Sequence, residues 1–295
     1  MDEAARDLLQ PPGAPVIDFA TPPGEAALTP PDSVSWRIFK NPVALLIGGV
    51  AAVLLELAEP RVRTGVWEHS SFRADPVQRL QRTGMAAMVS VYGPRSAAEA
   101  MIARVRRMHD HVVGATPAGE PYRANDAELL TWVYTTASFG FSHAYDRFVR
   151  PLSAADRVRL SQEGLPAARL YGVTAAPRSE AATRAMFAAM GPKLEPSPIV
   201  FEFLEIMQRA QALPAPLMPL QRMLLRAAVE LVPAWVRERL GLGASFGLRP
   251  WEEPLVRRAG RLADRIMLWE SPAVQSCLRL GLPADYLYRR RRSRR

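Results

Sequence analysis

From Pro42 the chain reads PVALLIGGVAAVLLEL, and the run Val43 to Leu55 carries no charge. A membrane span needs about 20 apolar residues, so this shorter run is expected as a helix buried in the core of a globular protein. Gly48-Gly49 in its middle lets another backbone, or a flat ring, approach closely, and Glu56 and Glu59 mark its polar end. A chain of 295 residues with 48% hydrophobic content can bury a core of that kind. No run of alternating β-branched residues is bounded by turn signals, and neither a repeat nor a βαβ alternation is present. The expected fold is all-α, in a single multi-helix domain.

Helix signals follow one another along the chain. Asp32-Ser33 starts one helix, Arg61 to Trp67 is a short connector, and two helices meet at a tight turn, Tyr92-Gly93-Pro94. Ala115 to Asn125 reads as a loop, with Asp126 capping a helix that runs through Phe148. A capped helix follows Pro151-Leu152-Ser153, and another spans about Glu180 to Met190. Prolines at 192, 196, 198, 214, 216 and 219 then break the chain into short helices, Phe201 to Ala212 and Leu220 to Leu231. Trp235 to Leu240 and Pro254 to Leu268 are the last two, separated by a Gly-rich turn at 241–247. Residues 1–31, rich in Pro, Gly and Ala, are expected as an extended arm, 32–288 as the helical domain and 289–295 as a disordered basic tail.

The chemistry concentrates between His69 and Gly114, which holds three of the four histidines. Arg79, Arg82 and Thr83 sit at i, i+3 and i+4, so two charges and a hydroxyl share one helix face. An antiparallel pair of helices around Gly93 offsets Thr83 and His109 by only roughly 7 Å along the axis. His109 lies late in its helix beside Met108 and Val112, and a neutral imidazole against an apolar wall suits an iron ligand as well as a satisfied core histidine. His111, about 200° around the helix, faces elsewhere. His143, among Phe139, Phe141 and Tyr145, is the second candidate, and His69 has a pocket role or a structural hydrogen bond open to it. Thr83 is followed by Gly84 and an apolar turn, Met85 to Val91, so the charges before it are expected to be buried against an anionic partner.

These residues carry a resemblance. His69-Ser70-Ser71-Phe72, Arg79-Leu80-Gln81-Arg82-Thr83, His109-Asp110-His111-Val112-Val113-Gly114 and Tyr122 to Asp126 leading to Leu130-Thr131-Trp132-Val133 resemble, in that order, the motifs of the MpaB-type oxygenases, whose relatives include the latex-clearing proteins or rubber oxygenases. The resemblance covers about Trp36 to Leu242. It implies a globin-like core holding haem b, with His109 as the axial ligand to iron and Arg79, Arg82 and Thr83 on the oxygen-binding side. It also implies dioxygen and a hydrophobic, isoprenoid- or lipid-like substrate, with an electron donor left open. Arg82 stands where latex-clearing proteins have lysine. Of the carboxylates before Arg79, namely Glu68, Glu59 and Glu56, none matches the family's catalytic one.

Other classes lack their signatures. There is no Glu-x-x-His pair for a di-iron bundle, no phosphate-binding glycine loop, and Cys277 stands alone. A noncatalytic helical protein binding haem, lipid or a partner is the rival reading. Of the net charge of +9, six arginines come from the last seven residues, so the basicity belongs mostly to the tail, which is able to touch anionic surfaces but has no interleaved aromatics for specific nucleic-acid binding. The acidic start, MDEAARDLLQ, has no export signal, and a cytoplasmic location is expected.

Overall fold

A computed structural model describes residues 17–210 and 213–289. The tail from residue 290 and the first sixteen residues of the arm lie outside them, as does the expected helix end at Ala212. Within them the chain is mostly helical, with one two-stranded antiparallel hairpin, β1 (Val113–Ala115) and β2 (Pro121–Arg123).

The apolar run becomes α2 (Pro42–Leu57), after a short α1 (Val34–Phe39). Asn41 caps α2: its side chain accepts from the Ala44 amide at 3.0 Å and donates to the Gly260 carbonyl at 2.9 Å, so one residue ends a loop and ties in a distant helix. Proline at the first helical position loses no hydrogen bond there. Against α2 lies α6 (Ala127–Phe148), and the two backbones meet at glycines. A Cβ on Gly48 would stand 2.8 Å from the backbone of Gly140 and Phe141. Helices α10 (Pro198–Arg209), α11 (Met218–Leu231) and α13 (Glu252–Ala263) complete the larger core, in which Ile47, Leu54, Trp132, Phe148 and Phe203 are fully buried.

The smaller core joins α4 (Pro76–Tyr92), α5 (Arg95–His109) and α14 (Pro272–Arg279) to residues 17–31. Trp36 and Tyr92 meet edge to face at 4.9 Å, and the Tyr92 hydroxyl donates to the Trp36 carbonyl at 2.6 Å. Arg279 binds the carbonyls of Phe19, Glu25 and Tyr92, so the arm is fastened by a buried guanidinium. The expected connector after Pro60 is a helix instead, α3 (Pro60–His69): Glu59 accepts from the Val62 amide at 2.8 Å and caps it. The expected loop Ala115 to Asn125 closes instead into the hairpin, together with Val113 and Gly114 before it. The other helices are α7 (Ala154–Glu163), α8 (Leu165–Tyr171), α9 (Glu180–Met190) and α12 (Ala234–Arg239). No single described helix is long and apolar enough to cross a membrane.

Candidate functional site

Asp75 caps α4 by accepting from the Gln78 amide at 3.0 Å, which fixes Arg79, Arg82 and Thr83 in the helix's first turns. At its other end Gly93 is required, since a Cβ there would lie 2.6 Å from the Val89 carbonyl oxygen, and Pro94 turns the chain into α5. The Thr83 hydroxyl donates to the Arg79 carbonyl at 2.9 Å and accepts from the Arg79 guanidinium. Arg79 is half-buried, whereas Arg82, Thr83 and Gly84 are exposed. The expected burial of this face therefore holds for Arg79 alone. A Cβ on Gly84 would meet nothing within 4 Å, so the space beside Thr83 is open.

Two further groups feel the charge of Arg79. One is His109. Its Nδ1 is sealed from solvent and has no hydrogen-bond partner, as is Oδ1 of Asn125. Burial, reinforced by Arg79 and opposed by Asn125 and Asp110, holds the imidazole below its ordinary pKa. It is therefore neutral at pH 7, the form that offers a lone pair. Asn125 is anchored by its amide nitrogen, which donates to the Arg106 carbonyl at 3.0 Å and to Asp110 at 2.7 Å, so its oxygen is left to receive the Nδ1 proton and leave Nε2 unprotonated.

The other is Glu56, which does not end α2 in solvent as its position suggests. It is half-buried, accepts from the Thr136 hydroxyl at 3.3 Å, and burial pushes its carboxyl up to about 7 against the opposing pull of Arg79. Because the folded pKa exceeds the unfolded value near 4.5, the folded state binds the proton more tightly, and this stabilisation is present below the unfolded pKa and lost as pH rises towards 7. Glu56→Gln keeps the neutral form at every pH. Its stability advantage over the parent is expected to grow from near zero at about pH 4 to about 3 kcal/mol above neutrality, as measured by urea unfolding at the two pH values. An advantage independent of pH would remove the titration from Glu56.

Along α4, Arg79, Thr83, Ala87 and Ser90 form one stripe, and Ala87 and Ser90 line a cavity of about 820 Å³. Aromatic residues make up much of its wall, Tyr134, Phe139 and Phe141 of α6 with Tyr171 and Phe187, and Arg157, Glu180 and Arg184 line it as well. His143 lines it too. Its ring stacks on Phe139 at 4.0 Å, and Nδ1 is 2.9 Å from the Phe139 carbonyl oxygen, an arrangement that makes Nδ1 the donor and frees Nε2. His69 instead meets the Tyr122 hydroxyl at 3.1 Å, a link between α3 and the hairpin, and His111 is exposed.

The structure thus brings together Arg79, Thr83 and His109 and adds Glu56, Thr136 and Asn125, while Arg82 points outward. Spacing alone could not find Glu56, although a lone carboxylate near the end of an apolar run is a signal in retrospect. Among the described residues no three His, Cys, Asp or Glu side chains cluster in a way that could hold a metal ion. A haem asks only for one side-chain ligand, and the neutral ring of His109, its buried Nδ1 turned inward so that Nε2 is left for the iron, and the open face at Gly84 fit that demand.

The family model described as ER-bound oxygenase mpaB/B'/Rubber oxygenase, catalytic domain, matches residues 36–265. No curated protein and no solved structure matches the chain.

Proposed function

The chain belongs to this oxygenase family, and from that premise we propose that it is a haem b-dependent oxygenase acting with dioxygen on a hydrophobic, isoprenoid- or lipid-like substrate. His109 would hold the iron through Nε2, with Asn125 fixing the tautomer, and Arg79 and Thr83 would face the oxygen side. Haem b, when bound, supplies a redox-active iron at which dioxygen is activated. The chain's own residues do the rest. Arg79, half-buried, offers guanidinium donors to negative charge that develops on oxygen, and the Thr83 hydroxyl, which accepts from the guanidinium and donates to the Arg79 carbonyl, holds that side chain in place. Arg82, more exposed, adds positive potential to the same face. Glu56, titrating near 7, can take up or release a proton at the operating pH. The aromatic cavity that continues the Thr83 stripe would receive the apolar part of the substrate and keep water away.

The observation that carries this reading is that one half-buried cation, Arg79, couples a neutral histidine on α5 to a carboxyl of raised pKa on α2. Titratable groups shifted by burial beside a specific charge partner in this way cluster at functional sites. A second reading takes His143 as the ligand, favoured by its Nδ1 bond to the Phe139 carbonyl and its place in the cavity wall.

The test is the absorbance spectrum of protein purified with haem supplied during expression. A Soret band that moves on dithionite reduction and again with carbon monoxide is expected, whereas a protein that refuses haem sinks the proposal. Thr83→Ala is expected to keep the haem complement and to slow dioxygen consumption with isoprenoid substrates by about 10- to 1000-fold. An unchanged rate would take Thr83 out of the oxygen chemistry.

A further inference from the structure

We propose that the outward face of α13, with the turn after it, docks onto an anionic lipid bilayer. Helix α13 divides into three sectors. Val256 and Gly260 point into the core, and Glu252 is buried and paired with Arg226. Away from them, Trp251, Leu255, Arg258 and Leu262 recur at i, i+4, i+7 and i+11, a single stripe. Ile266 and Trp269 extend it beyond the helix, and the five apolar side chains are between 44% and 59% exposed. Large apolar residues exposed singly need no explanation, but five on one short stretch, two of them tryptophan, mark an interaction surface.

Beside the stripe runs a groove of about 850 Å³ whose charged lining is Glu253, Arg257, Arg258, Arg261 and Arg265. Glu253 is already engaged by Arg147 at 3.1 Å and Arg257 at 2.8 Å. Arg258, Arg261 and Arg265 therefore face solvent with no ion-pair partner for their guanidinium groups among the described residues. Unsatisfied guanidinium groups interleaved with tryptophan and aliphatic side chains match the boundary of an anionic bilayer. The arginines reach phosphates in the headgroup layer, the indoles sit at its depth, and Leu255, Leu262 and Ile266 enter the acyl region. Nucleic acid would meet the arginines but has no use for the aliphatic stripe. The inference stands independently of haem, although an apolar substrate would concentrate in the same bilayer.

Flotation of the full chain with vesicles tests it, comparing pure phosphatidylcholine with vesicles containing about 30% phosphatidylglycerol. Binding is expected to the anionic vesicles only, and to weaken at least about tenfold when salt is raised from about 0.1 to about 0.5 M. Each of two variants, Trp251→Ser with Leu262→Ser and Arg258→Glu with Arg261→Glu and Arg265→Glu, is expected to lose at least about tenfold in affinity. A chain lacking residues 290–295 should keep most of its binding. Brominated phosphatidylcholine mixed into the anionic vesicles should quench tryptophan emission of the unmodified protein, so the proposal is tested even where a variant misfolds. It is overturned by the absence of anionic-vesicle binding, by equal binding to neutral vesicles, by lack of quenching, by variants that bind as the parent does, or by binding that vanishes only with the tail. A dimer in solution that Trp251→Ser with Leu262→Ser splits would assign the face to a second copy and overturn it as well.

Discussion

His109→Ala is expected to fall from about one haem per chain to less than a tenth of that, and exogenous imidazole to restore part of the complement. The argument is local. In this reading His109 would hold the iron, and its neighbours are arranged around a neutral ring: burial and Arg79 disfavour the imidazolium, and Asn125, tied to Arg106 and Asp110, can accept only at its oxygen. Methyl in place of the ring deletes the iron bond and leaves space of the ring's size, into which free imidazole fits. The fold should be little disturbed, because His109 is the last residue of α5. Haem content by pyridine haemochrome, with circular dichroism as the folding control, gives the result directly. His143→Ala serves as the matched comparison, since it too lies on a helix beside an apolar wall. If His109→Ala kept its haem and spectrum while His143→Ala came out colourless, the iron would belong in the cavity at Phe139 and the roles of Arg79 and Thr83 would fall with it.

What the sequence disclosed depended on whether the determining contact was local. Ser33, Asn41, Asp126 and Ser153 each accept a hydrogen bond from an amide two or three residues on, so those helix starts could be read directly. Glu59 and Ser271 do the same for α3 and α14, both of which end-signals alone had left unassigned. Both are followed by proline, which is the first residue of each helix. The Gly48-Gly49 pair announced a close approach, but its partner Gly140 lies far along the chain and nothing nearby marks it. The same holds for the site. Arg79, Thr83 and His109 were legible as a spaced set, whereas Glu56 acquires its raised pKa from burial between α2 and α6, which outweighs the opposing pull of Arg79, and neither has a trace in local pattern. Arg82 shows the reverse error: it shares a helix face with Arg79 as the spacing requires, but it is exposed where burial was expected.

Gly140→Ala is expected to destabilise the protein by about 3 kcal/mol or more, against the direction that helix propensity gives. In an exposed helix interior the same change gains about 1 kcal/mol. Here the added methyl overlaps the Gly48 carbonyl oxygen and comes within 3.1 Å of its carbon, and backbone cannot step aside as a side chain can. Gly49→Ala, one residue along, is the control: its Cβ would lie 3.8 Å from the Phe141 ring, ordinary contact, so it should be neutral or stabilising. Thermal unfolding of the three proteins is expected to place Gly140→Ala about 10 °C below the parent and Gly49→Ala at or above it. Equal stabilities would mean that the two helices stand further apart than described. The consequence reaches the site, because Glu56 is two turns from Gly48 on α2 and Thr136 one turn from Gly140 on α6. The 3.3 Å hydrogen bond between them exists only while the glycines let the helices touch. Prying the crossing open should weaken that bond, admit water beside the carboxyl and bring its pKa down towards the ordinary range, so the pH dependence attributed to Glu56 should shrink in Gly140→Ala although Glu56 itself is unchanged.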